Sequence, residues 1–487
     1  MFLLGLTILL VAHLGFIDAD PNKEISFSRG AWTDEGMYTS QIKNTIITDH
    51  LDLEESTCFV ITPLFSVINY MPYQFFGWSS KVSRLTVLLS ILLLIALFFF
   101  KQNQLKSITL ILIPILFFEE HFFHFMHYSL AESIAIIFVF FGCFYLYKSV
   151  VQNSLKNIIY CTLFFTCSFL FKIQFLYTLF IVPIFLLMWY FFQKNRETNI
   201  PFSLKRMGLI FTLSFIVSLG LYFLVWYLPN KQMIDLVLNY SAETRIIQTG
   251  QLNVFGIIME YLINFKNFFT DSFSSISIVT FFLLFFPLGF VLMFLKKTSL
   301  FYQINFLIAT SWFILELHKF SMNYLPTRYL LSMYFSMGWI IALVIYEVYK
   351  QNLGQISKRK TLATVVTVFS LLLTFHHFKA LKRAYDNRSY DIQLANNYFS
   401  QYNFDKRPIM GTWASSLLRD SKAITIPFFE DYINHKNIVK RFNPKIIIFE
   451  EIEKDVLIKD NIDIVKIADS VVPMKIGKYQ LKIAWLK

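Results

Sequence analysis

A ladder of long apolar runs, separated by short loops that are basic on every second turn, restricts this chain more than any other feature. Runs with little or no charge fall at about 82–100, 107–118, 130–147, 157–171, 174–192, 207–228, 273–295, 300–318, 328–349 and 361–378. A helix needs roughly 20 such residues to cross about 30 Å of hydrocarbon. With 56% hydrophobic and 16% charged residues in 487, a water-soluble core cannot hide this much apolar surface. Met1–Ile17 is also apolar, but it lacks a basic leading region and a small-x-small cleavage site, so it reads as an uncleaved first helix. The expectation is an α-helical polytopic membrane protein with about eleven spans.

Loop charge gives the orientation. Lys101 and Lys106, Lys148 and Lys156, Lys194 to Arg206, Lys296 and Lys297, and Lys350 to Lys360 cluster in alternate loops, with Lys172 and Lys319 as exceptions on the other side. The positive-inside rule places the basic loops and the N-terminus in the cytoplasm. The formal net charge of +12 then reflects topology and lipid headgroups rather than nucleic acid. A long loop, 18–81, the 119–129 turn, the 229–272 loop and everything after 379 are expected outside. Within the first loop, Thr62 to Gly77 is half apolar and broken by Pro63 and Pro72, which suggests interfacial helices. Residues 1–379 form the membrane domain. Residues 380–487 alternate short β-branched runs with polar helical stretches and predict a small extracytoplasmic α/β domain. An outer domain has no ATP to use, and no glycine-rich phosphate loop occurs, so a nucleotide-driven pump is disfavoured. The four cysteines, three of them inside apolar runs, predict no disulfide.

Charges at the outer ends of spans are the candidate functional groups, because ionisable residues at membrane depth are costly. The first outer loop contains Trp32-Thr-Asp-Glu-Gly-Met-Tyr38, with the adjacent acids Asp34 and Glu35 between an indole and a phenol. Adjacent acids are most often solvated loop residues; here their place on the outer face is what singles them out. Glu132 opens the fourth span. Lys172 occupies a tight hairpin flanked by Phe, against the charge rule, where a cation suits a lipid phosphate. Arg84 and Arg328, the latter followed by Tyr329, begin spans, and snorkelling to headgroups is their competing explanation. Glu119, Glu120, His121 and His124 are weak metal candidates, since histidines three apart share a helical face; no metal is expected to be required. Trp32 and Tyr38 read as an aromatic belt or as rings that stack on a sugar.

The acidic motif resembles that of the C-type (GT-C) membrane glycosyltransferases, in particular the protein O-mannosyltransferase and lipid A aminoarabinose transferase group. The stretch from Thr62-Pro-Leu-Phe through Phe76-Gly77 to Arg84-Leu85, the hairpin Phe171-Lys-Ile-Gln174 and the run Pro326-Thr-Arg-Tyr329 are similar to other features of that family. The resemblance spans about residues 1–350 and leaves the C-terminal domain unmatched. It implies inverting transfer of a sugar from a polyprenyl-phosphate carrier to a lipid, glycan or protein acceptor on the extracytoplasmic side. The high Phe, Ile, Lys and Asn content suggests an AT-rich bacterial genome, and with it a bacterial inner or plasma membrane. Such a displacement needs a base for the acceptor hydroxyl, and Asp34 is the candidate, with Glu35 orienting the acceptor or tuning Asp34. Lys172, Arg84 and Arg328 are expected to hold the donor phosphate. Glu132, Tyr38, Trp32 and Tyr329 are expected to bind substrate. The competing functions are a surface-glycan polymerase or ligase, with Glu243, Arg245 and Glu260 in the 229–272 loop, and a lipid-linked sugar flippase.

Overall fold

The structure, a computed structural model, describes residues 2–22, 25, 29–101, 106–117, 119–194, 204–237, 254–273, 277–295, 297–322, 325–351, 375–404, 407–428, 438–454, 457 and 462–487. Apolar helices lie on ten of the expected spans. These are α1 (Phe2–Leu14), α4 (Ser80–Lys101), α5 (Lys106–Phe117), α7 (Ala131–Gln152), α8 (Leu155–Phe171), α9 (Ile181–Lys194), α10 (Leu204–Tyr222), α12 (Ile278–Phe294), α13 (Leu300–Glu316) and α14 (Leu331–Gln351). The expected span at 361–378 lies almost wholly outside the described residues. Among the described residues, five helices are by themselves long and apolar enough to cross a membrane, or up to seven if each sharply bent pair counts as one span. Leu89, Leu93 and Leu97 on α4, and Leu209, Leu213 and Ile216 on α10, recur at helical spacing and stay exposed, as lipid-facing stripes do.

The long first loop is more ordered than its sequence suggests. Gly30–Thr48 forms a 19-residue helix, α2, and Pro63–Phe76 forms α3. Pro63 sits in the first turn of α3, where its missing N–H costs nothing. Val67, Met71, Phe75 and Phe76 leave an apolar face of α3 open, which fits an interfacial helix. A short helix, α6 (Glu120–Met126), follows a sharp bend after α5. The 229–272 loop contains a further helix, α11 (Val254–Phe273), whereas Glu243 and Arg245 lie outside the described residues.

The C-terminal region is an α/β unit, as expected. Its sheet runs in the order β2-β1-β3-β5-β4. The strands are β1 (Ile409–Met410), β2 (Thr425–Ile426), β3 (Ile446–Glu450), β4 (Ala468–Ile476) and β5 (Tyr479–Leu486). β1 pairs in parallel with both β2 and β3, while β5 is antiparallel to β3 and to β4. Helix α15 (Asp391–Ser400) precedes the sheet. Asp20, in the chain leaving α1, accepts the Asp391 and Ile392 N–H groups at 2.6 and 3.2 Å and so caps α15 from a distant segment.

The sheet unit grips α2. A Cβ on Gly36 would stand 2.5 Å from the Ser415 carbonyl carbon and the Ser416 nitrogen, so only glycine allows the two backbones to meet here. Ser416 Oγ donates to the Thr33 carbonyl at 3.1 Å. Lys43 Nζ donates to the Leu418 carbonyl at 2.6 Å. The Asn44 amide bonds both backbone groups of Thr425, at 2.9 and 3.2 Å, and so stands in for a neighbouring strand at the open edge of β2. Arg29, just before α2, reaches Glu450 and Glu453 at 2.8 and 2.9 Å.

Candidate active site

Because α2 is a helix, its adjacent acids point about 100° apart and enter different surroundings. Glu35 faces inward. Arg84 Nε and Nη2 fork onto it at 3.0 and 2.6 Å, and the Ser129 N–H donates to it at 2.6 Å. Arg419 Nη1 stands 4.0 Å away. Burial pushes the Glu35 carboxyl up, but Arg84, Arg419 and Ser129 together outweigh it and hold the group below the usual carboxylate range. Arg84 Nη1 also donates to the Ile17 and Ala19 carbonyls, at 2.8 and 2.7 Å. The pair is therefore a buried strut tying α2 and α4 to the end of α1. This corrects two expectations: the Glu35 oxygens are taken up by Arg84 and the Ser129 N–H rather than by an acceptor, and Arg84 has its nitrogens committed away from any phosphate.

Asp34 faces the membrane helices. Arg328 Nη2 lies 2.5 Å from Asp34 Oδ2, and the Asp34 side chain keeps 16% of its surface exposed while that of Arg328 keeps 4%. Gly30 leaves room for the guanidinium, since a Cβ there would come within 2.8 Å of Arg328 Nη2 and push it aside. Arg328 Nε is 3.7 Å from Glu132 Oε1. Glu132 in turn forms a short ion pair with Lys172, and Lys172 Nζ donates to the Tyr38 hydroxyl at 3.0 Å. The Lys172 ammonium stands 5.2 Å from the ring centres of both Tyr38 and Tyr329, close enough for cation–π attraction. Burial and the nearby Asp34 and Glu132 charges push the Tyr38 phenol well up, so it stays protonated. Six of the residues singled out in the sequence thus meet in one cluster: Asp34, Tyr38, Glu132, Lys172, Arg328 and Tyr329.

Local structure explains how such charges are held at membrane depth. Glu132 sits in the first turn of α7, where the helix dipole favours an anion. Lys172 follows the last residue of α8, where it favours a cation. Arg328 lies on a single 3-10 turn, Thr327–Leu330, started by Pro326. Opposite charges alternate through the cluster, which offsets much of the cost of burial. It is not saturated: Arg328 Nε and Nη1 and Glu132 Oε2 are buried without a hydrogen-bond partner. Spare donors on a cation beside an accessible carboxylate are what an incoming oxyanion with an attached reacting group would need.

Other expectations are corrected. Trp32 is fully buried and meets Tyr479 of β5 edge-on at 6.1 Å, so it packs the domain contact instead of lining the cluster. Glu119 caps α6 through the Phe122 N–H at 2.7 Å and pairs with His121 at 2.8 Å. His124 Nε2 accepts the Asn22 N–H at 3.3 Å. Among the described residues no group of three or more His, Cys, Asp or Glu is arranged to hold a metal ion. The sequence reading missed Arg419, whose position in the C-terminal region gave no sign of contact with α2, and Gly36, a glycine among acids and aromatics.

No protein-family profile matches the sequence, and no curated protein matches it. Solved structures do. ArnT from Cupriavidus metallidurans bound to undecaprenyl phosphate aligns over 99% of this chain and 97% of its own, at 12% identity and a TM-score of 0.59. Its apo state aligns over the same shares with a TM-score of 0.61. The chain has the GT-C fold. Archaeal oligosaccharyltransferase AglB from Archaeoglobus fulgidus, in complex with an inhibitory peptide and a dolichol-phosphate, aligns over 93% of this chain and 70% of its own, at 12% identity and a TM-score of 0.52. The likeness runs through the C-terminal unit as well, which the sequence resemblance left unmatched.

Proposed function

We propose that the protein is an integral-membrane glycosyltransferase that moves a sugar from a polyprenyl-phosphate carrier to an acceptor hydroxyl on the extracytoplasmic side of a bacterial membrane. The observation that carries this reading is the pairing of a partly open carboxylate, Asp34, with a buried arginine that keeps two nitrogens without partners. The shared fold with ArnT and AglB, solved with undecaprenyl phosphate and with a dolichol-phosphate, supports the same class of donor.

In the proposed reaction the donor phosphate settles on Arg328 Nη1 and on Lys172, which counter the charge that grows as the bond from the anomeric carbon to the phosphate oxygen breaks. Drawing Arg328 toward the phosphate loosens it from Asp34 and leaves a carboxylate oxygen to take the acceptor hydroxyl proton as the hydroxyl oxygen attacks the anomeric carbon from the face opposite the phosphate. The products are the glycosylated acceptor, inverted at the anomeric carbon, and the carrier phosphate monoester. Tyr38 and Glu132 hold Lys172 in place, and two membrane-anchored substrates meet with little loss of freedom. The experiment is mass spectrometry of lipid co-purified with the wild type and with Asp34→Asn. A glycosylated polyprenyl phosphate retained by the variant, together with transfer slowed by about 10²-fold or more, is expected. Full activity in Asp34→Asn removes it as the base, and the absence of any prenyl phosphate from both proteins removes the donor assignment.

A further inference from the structure

Lys319 breaks the charge pattern of the loops as Lys172 does, yet it is not part of the cluster. It does not snorkel either, since its side chain is 8% exposed and turned inward. Its ammonium lies 2.5 Å from Glu316 Oε2, one helical turn back, and donates to the Tyr329 carbonyl at 2.7 Å. Glu316 is wholly buried at the end of α13, and its other oxygen gathers three donors. Trp312 Nε1 bonds it at 2.9 Å, Ser332 Oγ at 2.7 Å, and the Tyr177 hydroxyl donates as well. Ser332 follows the 3-10 turn that carries Arg328. Tyr177 belongs to the 3-10 segment Ile173–Phe180, which begins directly after Lys172. One carboxylate thus anchors both segments from which the two cluster cations project.

A carboxylate with this many donors inside a membrane domain is a costly feature, because it desolvates a full charge. Packing alone does not call for it, as apolar residues of similar volume fill such gaps without the cost. Its value lies in geometry: Lys172 and Arg328 repel, and Lys172 sits at the junction of α8 with a 3-10 segment while Arg328 sits on a single 3-10 turn. We propose that Glu316, acting through Lys319 and Tyr177, is the positioning residue that sets the spacing of Lys172 and Arg328 to fit one phosphate. This rests on the donor reading above.

The test uses the purified full-length protein in lipid nanodiscs, with undecaprenyl phosphate and uncharged undecaprenol as probes in parallel. The quantity read is the preference for the phosphate over the alcohol, because a general packing lesion weakens both lipids alike. Glu316→Gln and Lys319→Met are expected to lower that preference about tenfold, and Lys319→Arg, which can still bridge Glu316 and the carbonyl, to stay within about twofold of the wild type, since misplacing a binding group by an ångström is costly. Where Glu316→Gln does not fold, the two Lys319 variants decide the matter. An unchanged preference, or an equal loss for both lipids, overturns the positioning role while leaving the donor reading intact. A wild type without preference for the phosphate overturns the donor reading itself.

Discussion

At the scale of single residues, two neighbouring acids carry opposite roles, and their variants should separate them. Glu35 is a buried anion with a forked arginine, and removing one member of such a pair costs about 3–5 kcal/mol because the other charge is left alone. Glu35→Gln is therefore expected to lower the thermal unfolding temperature markedly, and the surviving folded protein to retain its affinity for polyprenyl phosphate. Because the folded carboxyl is held below its ordinary value, its stabilisation is present above the unfolded value and is lost as pH falls through the folded one. The wild type should accordingly lose stability at acid pH more steeply than Glu35→Gln, as followed by thermal unfolding across pH. Arg328 is a different case. Arg328→Lys keeps the charge but replaces a planar guanidinium with a single point, so it loses the spare donor that meets the phosphate while the residue is still held beside Asp34. The expected result is a donor KM raised about tenfold or more, with acceptor KM little changed, in a steady-state assay.

At the scale of elements, the decisive one is α2, and it was the least legible. Its sequence offers Arg29 and Gly30 where a capping side chain would stand, and no apolar stripe, so it reads as a loop. It is helical because both of its sides are covered, by the membrane helices and by the sheet unit, and tertiary packing overrides weak local preference. For the same reason the sequence grouped Asp34 with Glu35 and Arg84, when helical geometry sends them apart. The cluster residues on the membrane helices were legible because a charge in an apolar run stands out. The contact between α2 and the sheet unit has its own signature, the buried Lys43. Burial pushes its ammonium down to about 7 from 10.5, with Asp420 and Arg419 as opposing neighbours. Protons are then bound by the unfolded state and not the folded one between those values, so this group makes stability rise with pH from about 7 toward 10.5. Lys43→Met removes that cost but leaves the Leu418 carbonyl without its donor, a loss of about 1–3 kcal/mol. The cost of the buried charge falls by about 1.4 kcal/mol for each pH unit gained between those values, so the variant is expected to exceed the wild type at neutral pH and below and to fall behind it only above about pH 9, where the two thermal-unfolding curves cross. Parallel curves would mean that Lys43 stays charged in the fold.

At the scale of the whole molecule, the Asp34 cluster, α2 and the sheet unit are one assembly, since Gly36, Lys43 and Asn44 lock α2 to the sheet unit while Asp34 and Tyr38 meet the span ends. They must share a side of the membrane, so orienting any one of them orients the chemistry. The alternation of basic loops argues that this side is extracytoplasmic, and a carrier-linked donor without nucleotide is consistent with it. Cysteine labelling decides the point cleanly, because Cys58, Cys143 and Cys161 are buried and Cys167 alone is half-exposed, so a Cys167→Ser background is nearly silent. Ile452, which is 79% exposed in the sheet unit, and Gln152, at the cytoplasmic end expected for α7, are suited to carry single new thiols. Ile452→Cys is expected to react with a membrane-impermeant maleimide in intact cells, and Gln152→Cys only after the membrane is opened. The reverse pattern would place Asp34, Arg328 and Lys172 in the cytoplasm, where sugar nucleotides are at hand, and would turn the search for a donor from lipid phosphates to soluble ones.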